Sequence, residues 1–287
     1  MSERKEFVHS RVFGVCWIAT PSISLILHVV LVQNEGAAIA FSTFMDSTGD
    51  AYRRVYGAIC GTPPRLKVWH PQWLAVKDLY ADLRRVLPGV RGRLLDVGCG
   101  EKPYAKWLNV EIEHLGLDVQ PASGIDYVVE PRDGWPIESA TIDAVLCTQT
   151  LEHVADVSVF VSEIDRVLRP AGLLILTVPF IYNFHTQEHG SDYRRFSSDG
   201  LRQLFADYEI VELKPQGGVG STFGCLLLNW IDMSLSRTAI KRIIKGLLLP
   251  FMVPFSFAIN LCGWLLDQID HTQAFYSNVM LVARKRG

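Results

Sequence analysis

The sequence predicts an α/β fold with a mostly parallel, doubly wound sheet of seven strands. Five short apolar runs recur between residues 93 and 178, separated by glycine-rich or helix-forming connections. The fifth run, Leu173–Val178, is apolar at nearly every position, as expected for a parallel sheet that is covered on both faces. Two later runs, Glu209–Lys214 and Asn278–Arg284, are strand candidates that would pair at one edge of the same sheet.

The first strand candidate is followed by the most informative turn of the chain. The apolar run Arg93–Val97 carries the acid Asp96, and Gly98 and Gly100 follow it. Pro103 stands where a helix can begin without losing a hydrogen bond. The pattern predicts a buried strand, a glycine turn and a helix, with a ligand lying against the bare backbone and the positive end of that helix.

Two kinds of ligand suit such a turn, and the residues favour one of them. A dinucleotide fingerprint requires a third glycine, where this chain has Pro103. The carboxylate of Asp96 would also repel a pyrophosphate, whereas it suits a ligand that carries ammonium and sulfonium groups. The turn therefore indicates a cationic ligand.

The next three strand candidates each end beside polar side chains. Glu113–Asp118 ends in an acid 18 positions after Gly100, a distance at which a carboxylate commonly binds ribose hydroxyls. Ile125–Glu130 ends in a second acid, and Asp133 follows shortly after it. The fourth run is Ile142–Thr148.

A helix is predicted between the fourth and fifth strands. Asp156 can cap its start, and apolar residues at steps of three and four from Val157 to Leu168 would form one buried face. The stretch 169–172, Arg-Pro-Ala-Gly, ends it.

This ordered series, with Asp96-x-Gly98-x-Gly100 first and Leu-Glu-His153-Val after the fourth strand, resembles the Rossmann-like class I S-adenosylmethionine-dependent methyltransferases. The resemblance covers roughly residues 75–217 and the last strand. It implies that the cofactor is S-adenosylmethionine and that the reaction is an in-line methyl transfer. Its implied cofactor-binding residues are Asp96, Gly98, Cys99 and Gly100 for the amino acid end, Asp118 for the ribose, Glu130 or Asp133 for the adenine, and Thr148 and Gln149 beside the sulfonium.

The segment 180–196 after the fifth strand supplies the catalytic candidates. It resembles a His…Asp-Tyr-x-Arg pattern found in a branch of the same family, which favours His185 or His189 as the base or acceptor anchor. Asp192 and Arg195 would either orient that histidine or only fix the loop.

The sequence contains one further candidate histidine and one match to a metal-binding motif. His153 would point toward the acceptor cleft or pack at a helix start. The run from His185 to His189 also matches the zinc-peptidase motif His-x-x-Glu-His, but that motif needs a helix and Gly190 argues for a loop. We therefore expect no metal site from the sequence.

The amino-acid composition limits the partners that the protein can bind and the cellular compartment in which it is expected. The net charge is −2, from 28 basic and 30 acidic residues, and no basic stripe indicates a nucleic-acid partner. The six cysteines include no Cys-x-x-Cys pair, which is typical of a reducing, cytoplasmic environment.

Two apolar stretches complicate that assignment. Residues 12–32 carry no charged side chain, and they are interpreted as sequence upstream of a true start near Met45, as an interfacial or packed helix interrupted at Pro21, or as an anchor or signal sequence. Residues 246–266 are also uncharged and follow a basic cluster of Arg237, Lys241, Arg242 and Lys245.

The second stretch lies between two strands of one sheet, so it cannot cross a membrane an odd number of times. We expect it to lie at the cytoplasmic face of a membrane as a peripheral, interfacial element, or alternatively to cover the active site as a lid.

These observations predict five segments and one function. The segments are an apolar extension (1–44), a helical cap (45–91), a cofactor-binding core (92–217), an apolar insertion (218–270) and the last strand (271–287). The function implied by the resemblance is methyl transfer to a small-molecule acceptor, which the insertion suggests is a lipid, a quinone precursor or a lipid-linked sugar. The alternatives are a soluble metabolite as acceptor, a non-catalytic membrane-associated protein with a cofactor fold, and a nicotinamide-dependent oxidoreductase.

Overall fold

The computed structural model describes residues 54–131, 133–185, 191–236 and 239–287. The predicted extension 1–44, with its apolar stretch 12–32, lies outside the described residues, as does His189.

A seven-stranded sheet in the order β3-β2-β1-β4-β5-β7-β6 forms the centre of the molecule. The first five strands run parallel, and β7 pairs antiparallel with both β5 and β6. The strands are β1 (Arg93–Val97), β2 (Glu113–Asp118), β3 (Tyr127–Val128), β4 (Ile142–Thr148), β5 (Leu168–Pro179), β6 (Tyr208–Gln216) and β7 (Asn278–Lys285). The predicted fold class is confirmed.

Within the described residues, five helices accompany these strands, besides a short helical segment at 54–60. They are α1 (Trp73–Val86), α2 (Val157–Val167), α3 (Ser198–Leu204), α4 (Val219–Ser236) and α5 (Ala239–Ile269). The predicted start of α2 is confirmed, because the Asp156 carboxylate accepts hydrogen bonds from the backbone N–H groups of Ser158 and Val159.

The helix predicted after the glycine turn is wrong. Only a three-residue 3-10 turn, Ala105–Trp107, lies between β1 and β2. Pro103 is a local start signal, but the backbone is already extended at Leu108 (φ −80°, ψ 158°), so the chain leaves the helical conformation after a single 3-10 turn. The glycine turn therefore offers backbone groups without the positive end of a helix behind it.

Apolar side chains cover both faces of the sheet. On one face, Leu79 and Leu83 of α1 pack against Leu94 of β1 and Leu146 of β4. On the other face, the core includes Leu95, Val145, Leu176, Ile164 and Phe205. Because both faces are covered, the carboxyl edge of the parallel strands is where a ligand can enter.

Helices α4 and α5 form an antiparallel hairpin that leaves the sheet after β6 and returns to it before β7. Its base is fixed electrostatically. The Asp270 carboxylate accepts a hydrogen bond from the Val219 N–H at 2.8 Å, and the Asp267 carboxylate accepts one from the Ser221 N–H at 2.9 Å. Two acids at the end of α5 thus satisfy donors at the positive start of α4.

The outer surface of this hairpin is unusually apolar. Among the described residues, one helical stretch, Ile244–Ile269 (26 residues, mean hydropathy 1.7), is long and apolar enough to cross a membrane, and only 17% of its most apolar part is buried. Large apolar side chains are exposed along both helices, including Phe223, Trp230, Met233, Leu247, Phe251, Phe255, Trp264, Leu265, Leu266 and Ile269.

The hairpin crossing depends on two glycines and yields a stability prediction. A Cβ atom on Gly220 would lie 2.0 Å from the backbone oxygen of Gly263, so Gly220→Ala forces the helices apart. We expect a loss of about 1–3 kcal/mol in the free energy of unfolding, the usual cost of overpacking, measured by denaturant titration.

Gly246→Ala is the matched control, because a Cβ atom there meets nothing within 4 Å. The control should be neutral or slightly stabilising, since alanine favours helix more than glycine does. Equal stability of the two variants would contradict the close crossing.

Candidate functional site

A cavity of about 470 Å³ opens at the carboxyl edge of the sheet, on the α2 side. The ends of β1 and β2 form its floor through Val97, Gly98 and Asp118, and the loop after β4 contributes Gln149 and His153. The carboxyl ends of parallel strands meet at one edge, which explains why these residues, distant in sequence, lie together.

Gly98 shapes the floor of this cavity. Its φ of +69° is a conformation that residues with side chains rarely adopt, and a Cβ atom would lie 2.2 Å from the Thr150 hydroxyl. Its N–H donates to the Leu117 carbonyl at 2.8 Å, which fixes the turn against β2. The turn is therefore rigid, and its bare backbone faces the cavity.

Backbone donors hold the Asp118 carboxylate in place at the floor of the cavity. One carboxylate oxygen accepts from the Gly100 N–H at 2.9 Å, and the other accepts from the Val119 N–H at 2.7 Å. Gly100 does not line the cavity itself, but it orients the acid that does.

Asp96 lies under the floor. It is 1% exposed, and its carboxylate is 3.0 Å from Nε2 of His114 on β2. Burial raises the pKa of this carboxyl group, an effect that His114 opposes. Asp96 points to the α1 face of β1, so it does not line the cavity.

Cys99 and Thr148 also lie outside the cavity lining. Burial raises the pKa of the Cys99 thiol to about 12, so this side chain is a protonated filler against β2. Thr148 ends β4 and contacts the hydroxyl of Tyr104 on the α1 side.

Glu130 and Asp133 both line the opposite wall of the cavity. The sequence offered them as alternatives, and the structure brings both to the same wall. Beside them stand Trp135 and Phe160, whose rings meet edge to face at 5.4 Å and make an apolar surface that the sequence analysis missed. An apolar wall with a few acids is typical of a small-molecule site.

Gln149 has a φ of +51° and lines the cavity directly after β4. Its N–H donates to the Thr177 carbonyl at 2.8 Å, which pins the loop to β5.

His153 and His185 meet at one end of the site, with ring centroids 5.0 Å apart and nearly perpendicular. His153 lines the cavity, and its Nδ1 is 3.0 Å from the Ser191 carbonyl. Burial lowers the pKa of His185, so its imidazole is neutral near pH 7. The structure therefore brings two of the three histidine candidates, His153 and His185, into one cluster, while His189 lies outside the described residues.

Asp192 and Arg195 fix the loop that carries His185. They form a double ion pair, and the Asp192 carboxylate also accepts from the His185 N–H at 2.9 Å. The Arg195 hydrogen bonds lower the pKa of Asp192 to about 2. Arg195 donates in addition to the Asn183 carbonyl at 3.0 Å, so both residues position the histidine loop.

Glu152 is the residue that the sequence analysis passed over. It is fully buried next to His153, and its two carboxylate oxygens have no hydrogen-bond partner among the described residues. Burial raises its pKa to about 7. In the sequence a buried and an exposed glutamate look alike, and only the neighbouring apolar Leu151 hinted at burial.

Comparison with known proteins identifies the family. The family described as "Methyltransferase domain" matches residues 95–176, which include the end of β1, the glycine turn and β4. A ubiquinone biosynthesis O-methyltransferase of Methylocella silvestris is 34% identical over 200 residues, which cover 58% of this chain and 75% of that protein.

Other relatives match shorter regions. Phthiotriol/phenolphthiotriol dimycocerosates methyltransferase 1 of Mycobacterium ulcerans is 30% identical over 99 residues, covering 30% of this chain and 36% of that protein. Among solved structures, a methyltransferase of Bacillus halodurans has a TM-score of 0.43 at 17% identity, over 74% of this chain and all of that one.

The cavity fits S-adenosylmethionine. Its volume lies in the range of ligand sites, the bare turn at Gly98 leaves room for close approach, and the acids Asp118, Glu130 and Asp133 suit a donor with a positive sulfur. The chain belongs to the class I S-adenosylmethionine-dependent methyltransferases, and S-adenosylmethionine is its cofactor.

Proposed function

We propose that this enzyme methylates an oxygen of an apolar acceptor, such as a lipid, a quinone precursor or a lipid-linked sugar, at the cytoplasmic face of a membrane. The observation that carries the proposal is the contact between the exposed apolar hairpin α4–α5 and the loop that carries His185. The Asn229 side chain of α4 donates to the Asn183 side chain at 2.6 Å, two residues before that histidine.

The residues that line the cavity suggest which part of S-adenosylmethionine each of them would bind. The Gly98 backbone and the Asp118 carboxylate would hold the amino acid end and the ribose of the cofactor, with Asp96, Cys99 and Gly100 supporting the turn from below. Glu130 would accept from the adenine amino group. Gln149 would stand beside the sulfonium, and Thr148 would support its loop.

The reaction needs alignment and the removal of one proton. S-adenosylmethionine, when bound, supplies a methyl group on a positively charged sulfur that leaves readily. The protein aligns the acceptor oxygen with that methyl group. His153 and His185 stand at the acceptor end of the cavity, where a neutral imidazole can accept the proton of a hydroxyl group.

A path joins the apolar hairpin to these histidines. Tyr182 packs edge to face on His185 at 5.3 Å, and its hydroxyl donates to Gln72 at 2.9 Å. Gln72 in turn donates to Asn229 of α4. An acceptor whose tail lies along the hairpin would therefore present its polar end to the histidine cluster.

Membrane attachment is supported by the apolar surface more than by the basic cluster. Lys245 forms an ion pair with Asp232 at 2.7 Å, so part of its charge stabilises the hairpin. The exposed apolar side chains are numerous enough to supply the main attraction to a bilayer. The five cysteines of the described residues are free thiols, which supports a cytoplasmic location.

Two relatives support the acceptor class by their names. One is named for ubiquinone biosynthesis and the other for phthiotriol and phenolphthiotriol dimycocerosates. Incubation with methyl-labelled cofactor, separately with a total lipid extract and with a soluble metabolite extract, tests the proposal by mass spectrometry. Label that appears only in soluble metabolites would reject the apolar acceptor and favour the hairpin as a lid.

The adenine assignment predicts a change in base discrimination. Glu130→Gln should lower the affinity for S-adenosylhomocysteine by about tenfold, since an amide is a weaker acceptor than a carboxylate. Its affinity for the inosine analogue, which lacks the amino group, should hardly change. Calorimetry with both ligands measures the ratio of the two affinities in the wild type and in the variant.

Asp133→Asn is the matched variant, because Asp133 lines the same wall. The affinities to compare are those for S-adenosylhomocysteine and for its inosine analogue. If Asp133→Asn reduces the difference between these two affinities and Glu130→Gln does not, Asp133 binds the adenine amino group in place of Glu130.

The membrane assignment predicts a loss of binding to lipid vesicles. Leu247 is 73% exposed and Phe251 is 72% exposed, one turn apart on α5. Replacing both by glutamate should weaken sedimentation with anionic vesicles at least about tenfold, since burying each apolar side chain contributes about 1.5–3 kcal/mol.

Val110→Glu is the control, because Val110 is 99% exposed but lies in the β1–β2 connection. The membrane proposal is refuted if the double glutamate variant sediments with vesicles as well as the Val110→Glu control and the wild type do. It is also refuted if the wild type does not sediment with vesicles.

A further inference from the structure

The histidine end of the cavity contains a set of side chains whose arrangement base catalysis alone does not explain. Glu152, His153 and His185 each offer one donor atom, and these atoms all lie within 4.8 Å of one another. They come from two separate places in the chain, the turn after β4 and the loop after β5.

The buried Glu152 carboxylate is the most unusual member of this set. Its side chain is 0% exposed, and neither of its oxygens has a hydrogen-bond partner within the described part of the chain. One oxygen lies 3.8 Å from His153 Nε2, which is also buried without a partner there. Leaving three buried polar atoms unpaired is costly, and a bound group between them would remove that cost.

Both imidazoles are oriented in the way that metal-binding histidines are. Nδ1 of His153 lies 3.0 Å from the Ser191 carbonyl, and Nδ1 of His185 lies 3.3 Å from the Asn183 carbonyl. A carbonyl at Nδ1 assigns the proton to that nitrogen and leaves Nε2 with its lone pair. Such an outer partner commonly fixes the tautomer of a histidine ligand.

The charge of the cluster also suits a cation. Arg195 is a permanent positive charge that interacts with Glu152, and Asp192 neutralises it through their double ion pair. The cluster then combines two imidazoles with one carboxyl group. This His₂Glu donor set is one that divalent zinc uses in catalytic sites, with a further position left open.

We propose that Glu152, His153 and His185 bind a divalent transition-metal ion at the acceptor end of the cavity. Two atoms bonded to a tetrahedral zinc ion at about 2.1 Å lie about 3.4 Å apart, so donor atoms that now lie up to 4.8 Å apart would close on the ion by roughly 1.4 Å. His153 lines the cavity, and the open position would face the acceptor.

The consequence for the reaction rests on the function proposed above. A metal ion lowers the pKa of an oxygen bound to it and fixes that oxygen in space. The acceptor class is then a hydroxyl or phenol that binds the ion through its oxygen. The imidazoles then act as ligands instead of as the base, and the proton of the bound hydroxyl group passes to the solvent. This site replaces the expectation of no metal from the sequence.

The test measures metal binding without acceptor or cofactor, so it does not depend on the acceptor assignment. The full-length, tag-free protein is treated with EDTA, dialysed and titrated with Zn²⁺, Co²⁺, Mn²⁺ and Mg²⁺ by calorimetry and elemental analysis. We expect one equivalent of Zn²⁺ or Co²⁺ and weaker binding of Mn²⁺ and Mg²⁺, since imidazole ligands favour the later metals. Co²⁺ absorbance reports the coordination of the bound ion.

Glu152→Gln and His185→Asn should each weaken Zn²⁺ binding about a hundredfold or more, because loss of an outer partner alone commonly costs 10–100-fold. They should also abolish the rise in unfolding temperature that the ion gives the wild type. Uptake of S-adenosylhomocysteine in EDTA should stay unchanged, which shows that the variants fold. His271→Gln, which removes an exposed histidine outside the cluster, is the control.

Three outcomes would overturn the metal site. They are the absence of a stoichiometric ion, wild-type affinity in both cluster variants, and an equal loss in the His271→Gln control. In each case Glu152 would be a buried, protonated acid. The methyltransferase function could still hold, since labelled methyl transfer is measured separately.

Discussion

The site depends on the turn at Gly98, where β1 ends. A positive φ and a Cβ position 2.2 Å from the Thr150 hydroxyl allow only glycine at that point. The same turn donates from the Gly98 N–H to β2, and the following Gly100 N–H holds the Asp118 carboxylate. A single backbone constraint thus sets the floor of the cavity, the direction of its first acid and the spacing to the loop after β4. This backbone arrangement replaces the helix dipole that the sequence had suggested, because no α-helix follows the turn.

Much of the fold could be predicted because buried parallel strands appear in a sequence as short runs of apolar residues. The run Leu173–Val178 lies within β5, and Asp156 caps α2 as its residue type suggested. The missing helix between β1 and β2 could not be predicted from Pro103, since a start signal does not report how far the chain must travel. The direction in which the Asp96 side chain points could have been predicted from the sequence. Side chains alternate along a strand, so Asp96 shares a face with Leu94, opposite the cavity-lining Val97.

The acceptor end was harder to predict, because its members come together only in three dimensions. His153 and His185 were chosen for their chemistry, and the sequence could not show that their rings lie 5.0 Å apart. Glu152 was missed because the apolar neighbour Leu151 hints at burial but does not show that the burial of the carboxyl group is complete. Asp192 and Arg195 show the reverse case, since both of the roles considered for them are present in one arrangement. The ion pair fixes the loop and, through the His185 N–H, sets the position of the histidine.

The hairpin constrains how an apolar acceptor reaches this end of the cavity. Both of its ends are tied to one sheet through β6 and β7, and Asp267 and Asp270 clamp its base. The sheet therefore stays on one side of any bilayer that the hairpin contacts. The side chains that remain exposed along α4 and α5 would face the lipid, while Asn229 on the same hairpin contacts the loop before His185. Under the proposed function, the acceptor would keep its tail in the apolar layer while its oxygen enters the cavity, and the bilayer would supply the burial that the cavity lacks.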